Sequence, residues 1–179
     1  ILEWFGHKGY EKKRIPREAQ IFAAAVSATY KDIDERPDKL YGLTRLPEYD
    51  SDRLSVWKEP NGDYFVSVHG TKMTAHDLGQ DAAILAGQPV TNKEVTDVIT
   101  KLVNEGHRVD VGGHSLATQY LTNLPMDIQE RIDEVYLFNP ASSPFMSNSY
   151  LDEIANERSN YHYFLNPSDM VSSGLYNRI

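Results

Sequence analysis

The sequence predicts an α/β fold: a three-layer sandwich whose central sheet is mostly parallel, covered by helices on both faces and begun by an antiparallel hairpin. Three observations carry this. Two alternating apolar runs flank Asn61-Gly62 in "RLSVWKEPNGDYFVSVHGT", the pattern of a hairpin. Short β-branched or aromatic runs recur later, in "RVDVGG", "EVYLFNP" and "YHYFL". Helix-period stretches separate them, and parallel strands need such crossovers.

Taken in order, residues 1–14, "ILEWFGHKGYEKKR", mix aromatics with a basic cluster and are read as an arm or solvated edge. A helix is expected from Pro16 to about Lys31, because proline suits a first helical turn and Ile21, Ala24, Ala25 and Ala28 share one face. The polar stretch "DIDERPDKLYGLTRLPEYDSD" has the Pro, Gly and Asp content of a loop. After the hairpin, "TAHDLGQDAAILAG" and "TNKEVTDVITKLVNEG" have helical period, the second with Thr91 or Asn92 as cap and Gly106 as stop. The strand "RVDVGG", the helix "SLATQYLTNL", the strand "EVYLFNP", the acidic helix "NSYLDEIANERSN" and the strand "YHYFL" complete the reading.

With 179 residues the chain suits one domain with a real core. The opening isoleucine and the closing "SSGLYN" without a final element raise the expectation that it is a piece of something longer, the C-terminal part of the domain lacking. A net charge of -8 disfavours phosphate backbones and anionic bilayers, so nucleic acid is not an expected partner. No stretch approaches the roughly 20 apolar residues of a membrane span. Without cysteine the chain has no disulfide, thiol nucleophile or thiolate metal site. No cofactor or metal is expected, because no ligand spacing such as H-E-x-x-H occurs; His76-Asp77 with Asp81 reads as caps or solvated charge.

Gly113-His114-Ser115-Leu116-Ala117 follows a buried-type strand and precedes a helix. A sharp strand-to-helix turn lifts a serine hydroxyl above the sheet and leaves nearby N–H groups where an oxyanion would form. Small residues at Gly113 and Ala117 let such a turn close. Upstream, "VSVHGT" ends a strand at His69-Gly70-Thr71, so Thr71 can supply a second oxyanion donor. Downstream, "YHYFLNPSDMV" puts Asp169 on a loop at a strand's carboxyl end, where α/β proteins assemble sites.

From Leu54 to Val171 these motifs, in this order, resemble the class 3 lipases, the fungal triacylglycerol-lipase type of α/β-hydrolase. "YFVSVHGT" stands for that family's strand with Arg-Gly-Ser/Thr, Asp77-Leu78 with Asp81 for Asp-Trp-x-x-Asp, "VDVGGHSLA" for its Gly-His-Ser-Leu-Gly, "VYLFNP" for its Thr-Phe-Gly-x-Pro strand and "NPSDMV" for its Asp-Pro-Val. The resemblance implies an α/β-hydrolase fold and lipase or esterase activity on a lipid or other apolar ester. It assigns Ser115 as nucleophile, Asp169 as triad acid and Thr71 and Leu116 as oxyanion donors, with 72–80 as a lid able to touch a lipid surface transiently. Three departures stand out: His69 replaces an arginine, Ala117-Thr118-Gln119 is bulkier than the family's small run, and no histidine follows Asp169.

A serine hydroxyl needs a base, and none of the six histidines fits the chain order. His114 is expected to point away from the serine, His107 to lie at the opposite end of the sheet and His162 to sit on a strand face. His69 and His76 flank the oxyanion segment. Two readings stay open, a base beyond Ile179 or a hydrolase-like module that binds without catalysis; an acyltransferase or serine peptidase on the same frame is the third.

Overall fold

The β-branched run ahead of Ser115 becomes the buried centre of a mixed sheet. A computed structural model describes residues 3–5, 12–14, 16–70, 90–140 and 157–164. Strands β1 (Glu3–Phe5) and β2 (Lys12–Arg14) pair antiparallel as a separate ribbon, so the expected arm contains a hairpin. Among the described residues the main sheet has seven strands in chain order: β3 (Lys39–Leu40), β4 (Leu43–Arg45), β5 (Leu54–Lys58), β6 (Tyr64–Val68), β7 (Val109–Ser115), β8 (Val135–Pro140) and β9 (Tyr161–Phe164). Pairing is antiparallel from β3 to β6 and parallel from β6 to β9. The expected α/β class and antiparallel start are thus present.

The described helices that pack on the sheet are α1 (Arg17–Thr29), α2 (Lys93–Asn104), α3 (Ala117–Thr122) and α4 (Met126–Gln129). Helix α1 covers one face. Its alanines permit close approach, and Phe22 stacks on Phe65 with ring centroids 4.0 Å apart, in a cluster with Trp57, Tyr136, Phe138 and Phe164. The other face buries Val56, Val66, Val111, Val135 and Leu137 under Val95, Ile99 and Leu102 of α2 and Leu121 of α3. Alternate residues of β6 and β8 therefore serve opposite layers, as a pleated strand buried on both faces requires. Helix α2 starts as expected, with the Asn92 side chain accepting the Val95 N–H at 3.1 Å.

Two local expectations change. The β5–β6 connection is not a two-residue turn: only Gly62 has positive φ (+93°), and the loop closes through Glu59 N–H to Asp63 O at 2.7 Å and Gly62 N–H to Glu59 O at 2.9 Å. The polar stretch expected to be loop holds β3 and β4. Three of its charges, Arg36, Arg45 and Asp50, face inward: Arg36 donates to Leu54 O at 3.0 Å and Ser55 Oγ at 2.9 Å, while Asp50 accepts from Ser55 at 2.7 Å and from Arg45. The expected helix at 74–87 lies outside the described residues, and so does most of the one at 148–160. Among the described residues no helix is long and apolar enough to cross a membrane.

Candidate active site

Strand β7 carries Gly112 and Gly113 because both of its faces are crowded. A Cβ on Gly112 would lie 2.7 Å from Phe65 Cζ, beneath α1, and one on Gly113 would lie 3.0 Å from Leu121 Cδ1 and 3.4 Å from Ala117 Cβ, beneath α3. Gly113 thereby makes the room that the Ala117 methyl takes, which is how the bulkier helix start is accommodated.

At the strand's end the ladder to β8 slips between His114 and Ser115, and Ser115 adopts φ +56°. An L-residue enters this left-handed region at a cost, and such strain gathers at functional turns. Leu116 returns to right-handed helical geometry (φ −61°, ψ −29°) and opens α3. Thr118 Oγ1 then donates to Ser115 O at 2.7 Å, fastening the bend. Ser115 is half-buried, at the carboxyl edge of the parallel strands.

The end of β6 lies against this bend. Val68 pairs with Gly113, and a Cβ on Gly70 would lie 2.9 Å from His114 O and 3.3 Å from Leu116 N. Tyr30, just after α1, joins the two segments: its hydroxyl accepts the Gly70 N–H at 3.1 Å and shares a hydrogen bond with His114 Nδ1 at 2.5 Å. Arg53 donates to Gly70 O at 3.4 Å. Gly70 is thus fixed beside Leu116, one residue before Thr71. Thr71, the 72–80 segment and Asp169 themselves lie outside the described residues. Strand β9 runs parallel to β8 and its last residue, Phe164, pairs with Phe138 toward the Ser115 end of the sheet.

The described histidines are engaged elsewhere. His114 is held by Tyr30. His107 stacks on Tyr64 with centroids 4.2 Å apart, near the amino-terminal ends of β6 and β7. His162 lies level with Tyr136 and bonds Glu134 through Nε2 at 2.6 Å. His69 is buried, with one ring nitrogen against Gly70 O and the other against Asp52 O. His7 and His76 fall outside the described residues.

Sequence reasoning missed two features. Tyr30 is one. The other is a carboxylate cluster at the opposite edge of the sheet, where Glu18, Glu59 and Asp110 each bring an oxygen within 4.8 Å of the others. Burial, and the Asp110 carboxyl beside it, push Glu59 up to about 9; burial and the neighbouring acids Asp133, Glu18 and Asp63 push Asp110 up to about 6. Near the elbow, burial raises the Tyr120 phenol, partly opposed by Arg53.

Comparison of the sequence with family models and with curated proteins gives no match.

Proposed function

We propose that the chain is a serine ester hydrolase of the class 3 lipase type, acting on a lipid or other apolar ester. The carrying observation is Ser115 at φ +56° on the turn between a buried parallel strand and a helix, with Gly70 packed on the same bend. In this reading Ser115 Oγ adds to the ester carbonyl carbon while a base takes its proton. The N–H groups of Leu116 and Thr71 hold the oxyanion, the base returns the proton to the departing alcohol, and water releases the acid and restores the serine. By the resemblance, Asp169 orients a histidine that acts as the base. The Tyr30 bonds support the reading because they hold both oxyanion segments at fixed separation, and preorganised donors are what such catalysis needs.

The test uses the protein with any native sequence that follows Ile179 included. It should hydrolyse p-nitrophenyl esters and react with a fluorophosphonate probe, and Ser115→Ala should abolish both. An extended protein that does neither overturns the proposal; amide or acyl-acceptor preference would redirect it to a peptidase or acyltransferase.

A second reading, a hydrolase-like module that binds an apolar ligand without turnover, is favoured by the engagement of His69, His107, His114 and His162 with other groups. Saturable ester binding with no probe labelling in the extended protein would select it.

A further inference from the structure

We propose that Glu18, Glu59 and Asp110 bind a hard divalent cation, Ca²⁺ in the first instance, at the edge of the sheet opposite Ser115. The site does not depend on the hydrolase reading. Asp110 is the second residue of β7 and Ser115 the last, so five residues at about 3.3 Å each put some 17 Å between them.

Three elements converge there. Glu18 lies in the first turn of α1, Glu59 directly follows β5, and Asp110 pairs with Phe65 near the start of β6. One oxygen of each carboxylate lies within 4.8 Å of the other two. That spacing suits three ligands around one ion, since oxygens bound to Ca²⁺ at roughly 2.4 Å stand within twice that distance of each other.

An acidic cluster alone is usually solvated, but two of these three acids are not. Glu59 is 8% exposed and Asp110 3% exposed. Glu59 Oε2 is fully buried without a hydrogen-bond partner, and the carboxyl it belongs to lies against that of Asp110. Asp110 Oδ1 takes the Glu134 N–H at 3.1 Å, which fixes the carboxylate without neutralising it. A buried oxygen facing further acceptors is stabilised by positive charge. Arg17 lines the adjoining 390 Å³ cavity with Glu18 and Glu59, but makes no ion pair with the three acids. The neighbouring trio of Asp63, Asp110 and Asp133 differs here, because Arg108 already pairs with Asp133 at 2.9 Å. All-oxygen, anionic ligands with one exposed member match Ca²⁺, whose remaining positions water can fill from the cavity, better than the softer N- and S-seeking metals.

The test is calorimetric titration of chelator-treated, dialysed protein with CaCl₂ at low ionic strength, alongside thermal melting. The expected result is one saturable binding event with a dissociation constant below about 1 mM and a rise in Tm with Ca²⁺ concentration. Glu59→Gln and Asp110→Asn should abolish both. Glu18→Gln, at an exposed position that cannot disturb the core, should weaken affinity about tenfold, and Ser115→Ala should leave it unchanged. Mn²⁺ should broaden the amide resonances of Glu59 and Asp110 before that of Ser115. Absence of heat and Tm shift up to about 10 mM Ca²⁺, unaltered affinity in Glu18→Gln, or broadening centred elsewhere overturns the site. In that case a proton shared by Glu59 and Asp110 is what neutralises the pair.

Discussion

The Tyr30 hydroxyl stands 2.5 Å from His114 Nδ1 while also accepting the Gly70 N–H at 3.1 Å. One phenol therefore ties the end of α1 to both the end of β6 and the strand that delivers Ser115. Its ring also packs against those of His69 and His114, at centroid distances of 4.8 and 5.5 Å, so Phe would keep the packing and delete only the hydroxyl. Tyr30→Phe leaves the Gly70 N–H without its partner and should lower stability by about 1–3 kcal/mol. Urea denaturation reads this directly. A loss near zero would mean that the phenol does not hold the two segments.

Gly70 is required for space. A methyl there would meet the backbone oxygen of His114 at 2.9 Å, and neither backbone can yield without moving the bend. Gly70→Ala should cost roughly 1–3 kcal/mol and slow probe labelling of Ser115 in the extended protein about a hundredfold. Gly106→Ala is the control. Gly106 has φ +87°, but a methyl added there would meet nothing within 4 Å, so the substitution should cost stability through conformation alone and leave labelling intact.

Ser115 carries a different kind of cost. At φ +56° any side chain with a Cβ is disfavoured, whereas glycine is not. Ser115→Gly should therefore be more stable than Ser115→Ala by about 1 kcal/mol, and neither should label. Equal stability of the two variants would show that the bend stores no strain at this residue.

The bend is readable in the sequence because its causes are local: a β-branched strand, two glycines and a helix-compatible run stand in one segment. The Asn92 cap and Gly106 stop of α2 are readable for the same reason. Tyr30 is not, because its partners lie 40 and 84 residues away and a tyrosine at a helix end carries no signature. The stretch holding β3 and β4 reads as loop because Arg36, Arg45 and Asp50 break the apolar alternation; buried ion pairing does there what hydrophobic residues do in β5. Glu59 and Asp110 escape notice because the fold, and no spacing, brings a hairpin turn and a strand start together. Thr71 and Asp169 remain assignments from resemblance.

The same two acids set a pH dependence in chelated protein. Glu59 rises from an ordinary 4.5 to about 9 in the fold, chiefly through burial, then through Asp110, Asp63 and Glu18; Asp110 rises from 3.8 to about 6, through burial with Asp133, Glu18 and Asp63. The nearby bases are Arg17, which lines the cavity, and Arg108, which is occupied by Asp133. For a raised carboxyl the folded state holds a proton that the unfolded state has released. Unfolding then releases protons, so stability falls as pH rises between the unfolded and folded values, with a slope of up to about 1.4 kcal/mol per pH unit for each such proton. For Glu59 the window runs from 4.5 to about 9, and for Asp110 from 3.8 to about 6. Above pH 6 the remaining slope belongs to Glu59, so Glu59→Gln should flatten the profile between neutral pH and 9, whereas Asp110→Asn should remove the acid-side slope and, by taking away a neighbour that raises Glu59, bring the Glu59 limb to lower pH. Denaturation midpoints measured with chelator across this range provide the check. A parent profile that is flat or rising through neutral pH would show that Glu59 is ionised in the fold.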